Sequence, residues 1–526
     1  MTHSRSLSRF IAWVLVVGFT AGPLCAQAHF SRGDSNDDGR LDLSDATFDF
    51  NRLFLGGPSP ACADAADAND DGGYDISDGV FKLNFLFTGG GQPPEPFEVW
   101  DGDPTADGLG CRECLRITGD IAADTTWTKA NCYTLVDGVF VKAGATLTID
   151  AGVTVVGDNV TEGLLVVERG ARLVTNGTAE LPVVFTSDRP VGERGRGDWG
   201  GLIFLGRGES NVTGGEAFAE GLENQLWGGG LTPIRDDSSG TLRYTRVEFG
   251  GTEISTDNEV NSISMFGCGS GTSLEFVMCK YNLDDGFEWF GGDGTLKHGL
   301  AVGIRDDNFD YSFGWRGKGQ FWVCQQRGDD ADRGFEVDNH DSELGAVPLT
   351  QPTVSNVTLV GDPDTAEGSE SDTGLYFRLG CGGLVSNTIV TGWKDAGFDI
   401  DDDATFANWE AGDLSVTHSI FHNNGSSGDN HCDLETDAGD GACGDGTGQL
   451  FDPNRSNIAI GRAGASPIAD PYNLVAPNFR PQNDALTNFT DPTAIDPFFT
   501  AAPYCGGVPP TGADWTQAKW ISYRQD

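Results

Sequence analysis

Positive charge is scarce in this chain: 33 Lys and Arg stand against 79 Asp and Glu, a formal net charge of −46. A field of that sign repels polyanions, so no nucleic acid and no anionic membrane is expected as a partner unless bound cations bridge the two. The same self-repulsion favours solubility and destabilises a cation-free form, and salty surroundings would screen it. Long apolar runs are missing as well. Beyond Phe10–Phe19 no stretch is apolar for long enough to cross a bilayer, so no transmembrane anchor is expected. The nucleophile elbow, the Cys/His pair and zinc-ligand spacings are absent, which removes the hydrolase and zinc-enzyme classes built on them. His298 and His340 stand alone, and Gly291-Gly292-Asp293-Gly294 lacks the strand-to-helix context of a phosphate loop. From about Ile117 onward helical periodicity is almost absent, which excludes a helical body.

The N-terminus supplies a location. Arg5 and Arg9 precede the apolar run, and Ala26-Gln27-Ala28 offers a small-x-small cleavage site, so residues 1–28 read as a secretory signal peptide. Pro23-Leu24 ahead of Cys25 does not suit a lipid-anchor site, so the product is expected to be secreted, extracellular or at the cell surface. Loss of the two arginines takes the net charge to about −48. Eleven cysteines then remain, an odd number, so at least one is free or pairs between chains. Cys432 and Cys443 bracket a polar loop and form the expected bridge, while Cys62, Cys111, Cys114 and Cys132 cluster near a domain junction with open connectivity.

Two copies of one twelve-residue loop follow, starting 33 residues apart. The first offers Asp34, Asn36, Asp38, the Arg40 carbonyl, Asp42 and Asp45; the second offers Asp67, Asn69, Asp71, the Gly73 carbonyl, Asp75 and Asp78. Oxygen donors at positions 1, 3, 5, 7, 9 and 12 with glycine at 6 form the ligand set of a Ca²⁺-binding EF-hand. Calcium is therefore the expected cofactor. Helices are expected from Asp45 to Leu55 and from Asp78 to Phe87, packed on each other through Phe50, Leu53, Phe54, Phe81, Phe85 and Leu86. With Asp at position 12, residues 30 to 90 resemble a type I dockerin, which implies a cohesin-like scaffold protein as a partner. The interval between loops, with Gly56-Gly57-Pro58-Ser59-Pro60 and Cys62 inside it, is wider than the compact family repeat, and a calcium-stapled cap or spacer is the plainer reading.

The organisation expected is a dockerin-like EF-hand pair over 29–92, a linker over 93–116, and from 117 to 526 a mainly β domain with a C-terminal cap. Strands of three to five residues are broken by Gly, Asn or Asp, as in Val139–Val155, Leu165–Val174 and Pro182–Thr186. The pairs Asp284-Asp285, Asp306-Asp307 and Asp329-Asp330 fall 22 and 23 residues apart, and segments beginning at Val354, Val385 and Val416 recur at 31 and 31. Such periods fit successive coils of a parallel β-helix, a solenoid. Pro182-Val183-Val184-Phe185-Thr186-Ser187, Gly197-Asp198-Trp199-Gly200-Gly201-Leu202 and Asp284-Asp285-Gly286-Phe287-Glu288-Trp289-Phe290 resemble a family of secreted bacterial right-handed parallel β-helix proteins. The likeness covers about 117 to 525 and implies a fold, not an activity.

Coils stack at about 4.8 Å, so the Asp-Asp pairs form a ladder flanked by Glu288, Asp310, Glu336 and Asp338. Like charges that close demand a cation or a retained proton. Asp284, Asp285, Glu288, Asp306, Asp307 and Asp310 are the candidate catalytic residues of a polysaccharide lyase or glycoside hydrolase, with Arg305, Arg316, Arg327 or Arg333 as base or clamp. The alternative for these acids is structural: Asp accepts backbone N–H bonds in turns, with Phe287, Phe309 and Phe335 stacked inside. Trp289, Trp315 and Trp322 could stack on sugars if exposed, though strand tryptophans are more often packing residues. The function expected is a secreted calcium-binding β-helix protein that binds or processes extracellular polysaccharide; the alternative is a non-enzymatic surface or matrix protein with a structural or adhesive role.

Overall fold

The computed structural model describes residues 30–36, 40–57, 59–60, 62–97, 102–105, 107, 109, 114–189, 192–222, 224–255, 258–328, 331–363, 371–433 and 439–525. The expected signal peptide, the Asp38 ligand, Cys111 and the pair Asp329-Asp330 lie outside the described residues.

Near the N-terminus, each of the two loops runs into a helix, Leu43–Leu55 and Ile76–Thr88. Both helices start with a reciprocal cap. The Asp42 carboxylate accepts the Ser44 N–H while Asp45 accepts the Asp42 N–H at 2.8 Å, and Asp75 and Asp78 repeat this at 2.8 Å. Both end on a left-handed glycine, Gly56 and Gly89, where a side chain would be strained.

Their packing differs from the sequence expectation. The buried positions are Asp45, Ala46 and Asp49 on one helix and Asp78, Gly79 and Lys82 on the other, whereas Phe54 is 62% exposed. That face holds a buried ion pair: Lys82 Nζ lies 2.7 Å from Asp49 Oδ2 and also bonds Ser35 Oγ, and Tyr74 donates to Asp49 at 3.1 Å. Phe50 does contribute, filling the space left by Gly79, where a Cβ would come within 2.6 Å of its ring. Phe85 packs edge-on against Phe97, and Arg32, buried, donates to Asp103 at 2.8 Å, so parts of 93–107 fold back onto the helical unit.

The chain is mainly β and forms a parallel β-helix. One sheet of nine described strands stacks Gly138–Val141, Leu164–Val167, Leu202–Leu205, Ile263–Phe266, Phe287–Phe290, Phe309–Ser312, Phe335–Val337, Leu375–Phe377 and Asp399–Ile400, all parallel. A sixteen-stranded sheet closes the rest of each coil. The 31-residue period is the true register here, since Val354 pairs with Val385 and Val385 with Val416.

The long strands of that second sheet bend at one register position. Tyr244, Phe276, His298, Phe321, Asn356, Asn387 and His418 all take left-handed φ between +45° and +63°. Each non-glycine bend costs about 1–2 kcal/mol. Stacking offsets part of that cost: ring centroids lie 4.5 Å apart for Tyr244–Phe276, 4.0 Å for Phe276–His298 and 4.9 Å for His298–Phe321. The C-terminal tail lies along this row as a strap. Its carbonyls at Thr490, Thr500 and Tyr504 accept from the amides of Asn387, Gln320 and Asn356 at 2.7–2.9 Å, and Trp515 and Trp520 meet the rings edge-on.

The interior is apolar and aromatic. Phe287 and Phe309 stack at 5.4 Å, Phe309 meets Phe335 edge-on at 5.6 Å, and Trp289, Trp315 and Trp322 are fully buried among them, so these tryptophans pack the core. Cys432–Cys443 is bridged as expected, Cys114 pairs with Cys132, and Cys268, Cys279, Cys324, Cys381 and Cys505 are free and buried.

Candidate functional site

Alternation along a strand places Phe287 and Trp289 inside and Glu288 outside, and register repeats that choice on the next coils. Glu288 pairs with Asp310 and Asp310 with Glu336, so the three carboxylates stand in one outward row. The row continues through Tyr376 to Asp399.

Just before each strand the chain turns, and the same offset aligns Asp284, Asp306, Asp332, Asp372 and Asp395. Backbone bonds tie these rungs: Asp332 N–H to the Asp306 carbonyl, Asp372 to Asp332, and Asp395 to Asp372, at 2.8–3.3 Å. In this register the third rung is Asp332-Arg333, three residues beyond the Asp329-Asp330 pair counted in the sequence. The signal that finds it is the repeated Asp-x-Gly/Asn-Phe-acid motif at Asp284, Asp306 and Asp332, with Leu375 and Phe398 continuing the apolar position.

The six candidate acids divide by environment. Asp285 and Asp307 are 5% and 3% exposed and act as rungs: Asp285 Oδ1 accepts the Asp307 N–H at 2.9 Å, and Asp307 Oδ1 accepts the Arg333 N–H at 2.7 Å. Asn261 begins the series by accepting the Asp285 N–H at 3.1 Å. Asp284, Asp306, Glu288 and Asp310 are half-buried and reach the outer surface.

Carboxylate oxygens of Asp284, Asp285 and Asp306 lie within 4.8 Å of one another, as do those of Asp285, Glu288 and Asp310, and of Asp306, Asp307 and Asp332. Burial, and then mutual repulsion, pushes Asp285, Asp307, Asp310 and Glu288 well above the usual carboxylate range. Burial and the Asp332 and Glu336 charges raise Asp306 to about 6, and burial raises Asp338 to about 6 against its bond from Arg378. Asp310 Oδ1 is buried with no hydrogen-bond partner. Clustered hard oxygens with an unsatisfied member are the donor chemistry that a Ca²⁺ ion fits.

The arginines fall in different places. Arg333 donates to Asp332 at 2.5 Å and to Glu336 at 2.6 Å, and lies over the Tyr376 ring at 4.3 Å. Arg378, which sequence reasoning missed, bonds Glu336 and Asp338 and shares that ring at 5.5 Å. Both guanidiniums are raised in pKa, despite burial, by these acids, so neither is a proton acceptor near neutrality. Arg316 pairs with Glu209, Arg327 lies over Tyr281, and Arg305 adds positive field at Asp306. His298 is stacked in the bend row, and His340 accepts the Ser342 N–H at 3.2 Å.

The N-terminal loops repeat one another. Asp45 accepts the Asn36 N–H at 3.3 Å as Asp78 accepts the Asn69 N–H at 3.4 Å; in the second loop Asp67 also accepts the Gly72 N–H at 2.8 Å, and Gly72 takes φ +79° at loop position 6. Asp34, Asp45, Asp67 and Asp78 are buried, Asn36, Asn69 and Gly73 partly so, and Arg40, Asp42, Asp71 and Asp75 are exposed. Burial first, with Asp67 adding, raises Asp78 to about 7. Two fully buried carboxylates facing each other fit a bound cation.

Residues 119–448 match the family described as "Pectate-lyase like beta helix domain". The chain belongs to this family. Solved structures similar to it include that of pectate lyase Pel9A, at 13% identity and a TM-score of 0.35, covering 74% of this chain and 87% of that one. The Dettilon tailspike protein is similar at 7% identity and a TM-score of 0.27, covering 57% and 55%. No curated protein matches the chain. The family match, 119–448, begins after the N-terminal helical unit and ends before the C-terminal strap, so both lie outside it.

Proposed function

We propose that this is an exported, calcium-dependent protein that binds or processes an extracellular polysaccharide on the outer face of the nine-stranded sheet. The observation that carries the reading is the stacked outward row Glu288–Asp310–Glu336 beside Asp284–Asp306–Asp332, with carboxylate oxygens clustered within 4.8 Å. Asp284, Asp306, Glu288 and Asp310 would hold Ca²⁺, which when bound supplies a positive charge shared with a substrate carboxylate. Asp285 and Asp307 position the turns that present them. A polyuronate such as the pectate in the family's name suits that chemistry, and a net charge of −46 leaves cation bridging as the route to an anionic polymer. The disulfides Cys114–Cys132 and Cys432–Cys443 support export.

The two N-terminal loops form a second calcium unit by the same donor logic. Leu43, Phe54, Leu55, Ile76, Val80 and Phe87 are exposed on its helices, which supports docking to a cohesin-like scaffold. A non-enzymatic, adhesive role is the second reading. It is favoured by one observation: Arg333 and Arg378, beside the acids, are both committed to ion pairs rather than free for proton transfer.

Affinity electrophoresis of the full chain through polygalacturonate gels tests the proposal. Retardation is expected with Ca²⁺, is lost in EDTA and in Glu288→Gln/Asp310→Asn, and persists in Asp45→Ala/Asp78→Ala. Retardation unchanged by the Glu288/Asp310 substitutions would overturn it.

A further inference from the structure

The outward face changes character abruptly along the solenoid. On the strands Leu164–Val167 and Leu202–Leu205 the outward side chains are Leu164, Val166, Ile203 and Leu205, yet all are buried, at most 8% exposed. They are covered by the insertion 206–232, whose paired segments Ala217–Phe218 and Leu226–Trp227 form a hairpin. Ala219 and Trp227 are buried against them, with Ala217 and Leu222 packed at the edge.

Trp227 marks the limit of this roof. Its ring lies 5.7 Å from Phe266 and 6.4 Å from Phe290, outward residues of the next two strands, and 6.3 Å from Phe313. At that limit both rows switch from apolar or neutral to acidic: Val260 gives way to Asp284 in the turn row, and Ile203 and Ser264 give way to Glu288 in the strand row. Glu220, exposed on the hairpin, is close enough for its charge to act on Glu288. The acidic row thus begins at the foot of a step and continues away from it through Asp310 and Glu336 to the half-buried Tyr376 and Asp399.

A polymer bridged to successive rungs runs along the coil axis, because the rungs do. In one direction it meets the hairpin within a coil of Glu288, where the outward positions Val166, Ile203 and Leu205 are already covered. We infer that the site takes the end of a polysaccharide chain rather than its interior, with the 216–227 hairpin as the element that sets this specificity. This rests on the acidic row being the polysaccharide site.

The test counts binding sites. The full chain with Ca²⁺ is titrated by calorimetry with long-chain polygalacturonate and with an equal mass of the same polymer after partial hydrolysis. Sites per unit mass should rise in proportion to the number of chain ends. In a variant with 216–227 replaced by two glycines, sites should instead follow mass. The neck can close, since the Gly230 N–H donates to the Gly215 carbonyl at 2.9 Å. Equal sites per unit mass in the two preparations would overturn the chain-end inference while leaving the polysaccharide site standing. Absence of Ca²⁺-dependent binding to either would overturn both. Should the shortened variant fail to fold, the comparison with the unaltered chain decides alone.

Discussion

Replacing Asp285 by Asn and, separately, by Ala divides two roles of that carboxylate. Its Oδ1 accepts the Asp307 N–H at 2.9 Å, and burial together with Asp284, Glu288, Asp310 and Asp307 disfavours its charge. Asn keeps the acceptor and drops the charge. The preceding rung shows that Asn fits: Asn261 Oδ1 accepts the Asp285 N–H at 3.1 Å while its Nδ2 donates to Ser264 Oγ at 3.1 Å and to Glu288. Ala drops both roles. Two carboxylates ionised about 5 Å apart repel by about 3 kcal/mol at an effective dielectric constant of about 20, a ceiling because proton uptake relieves part of it. Losing the rung acceptor leaves a buried N–H unpaired, at about 1–3 kcal/mol. In EDTA at about pH 7.5, Asp285→Asn should therefore exceed wild type by about 1–2 kcal/mol, and Asp285→Ala should fall about 1–3 kcal/mol below the Asn variant. At about pH 4.5, where a proton already neutralises Asp285, the Asn advantage should vanish and the Asn–Ala gap remain. Urea unfolding followed by tryptophan fluorescence reads both differences. Equal stability of the two variants would refute the rung, and an Asn variant weaker than wild type at the higher pH would refute the repulsion.

Asp306 and Asp338 sit at about 6, above the unfolded carboxylate value, so the folded state holds protons that the unfolded state releases. Their contribution to stability is present below about pH 4 and is lost as pH rises through 6. Melting in EDTA should show this fall, Ca²⁺ should shrink it, and Asp306→Asn should flatten it; a variant as pH-dependent as wild type would argue otherwise. Lys82→Met keeps the buried stem but strands Asp49, which should cost about 3–5 kcal/mol in the Ca²⁺-sensitive transition seen by calorimetry, with much of it recovered in Lys82→Met/Asp49→Leu. Asp45→Ala/Asp78→Ala should remove two Ca²⁺ equivalents from the full chain by isothermal titration, and unaltered stoichiometry would show that the N-terminal loops do not bind the ion.

Much of this architecture is legible in the chain itself. Short strands punctuated by turn residues determine a solenoid, and the 31-residue recurrence at Val354, Val385 and Val416 is the pairing register, because those two successive coils are equal in length. The Cys432–Cys443 bridge is local enough to follow from its loop. Counting fails at the third acidic rung. Phe287 to Phe309 is 22 residues, but Phe309 to Phe335 is 26, and most of the extra length falls between Gln325 and Phe335, which moves the rung from Asp329-Asp330 to Asp332-Arg333. Only hydrogen-bonded register decides which residues are neighbours across coils. Tertiary structure alone also separates the rung acids Asp285 and Asp307 from the outward Glu288 and Asp310, since only the first two are buried and accept a backbone N–H from the next coil. It places a buried Asp49–Lys82 ion pair and the Gly79–Phe50 contact on the N-terminal helices' buried face, which an apolar pattern does not point to. The roof over Val166, Ile203 and Leu205, and the strap along the bent row, are long-range: their partners lie tens to hundreds of residues away, where sequence spacing carries no information about contact.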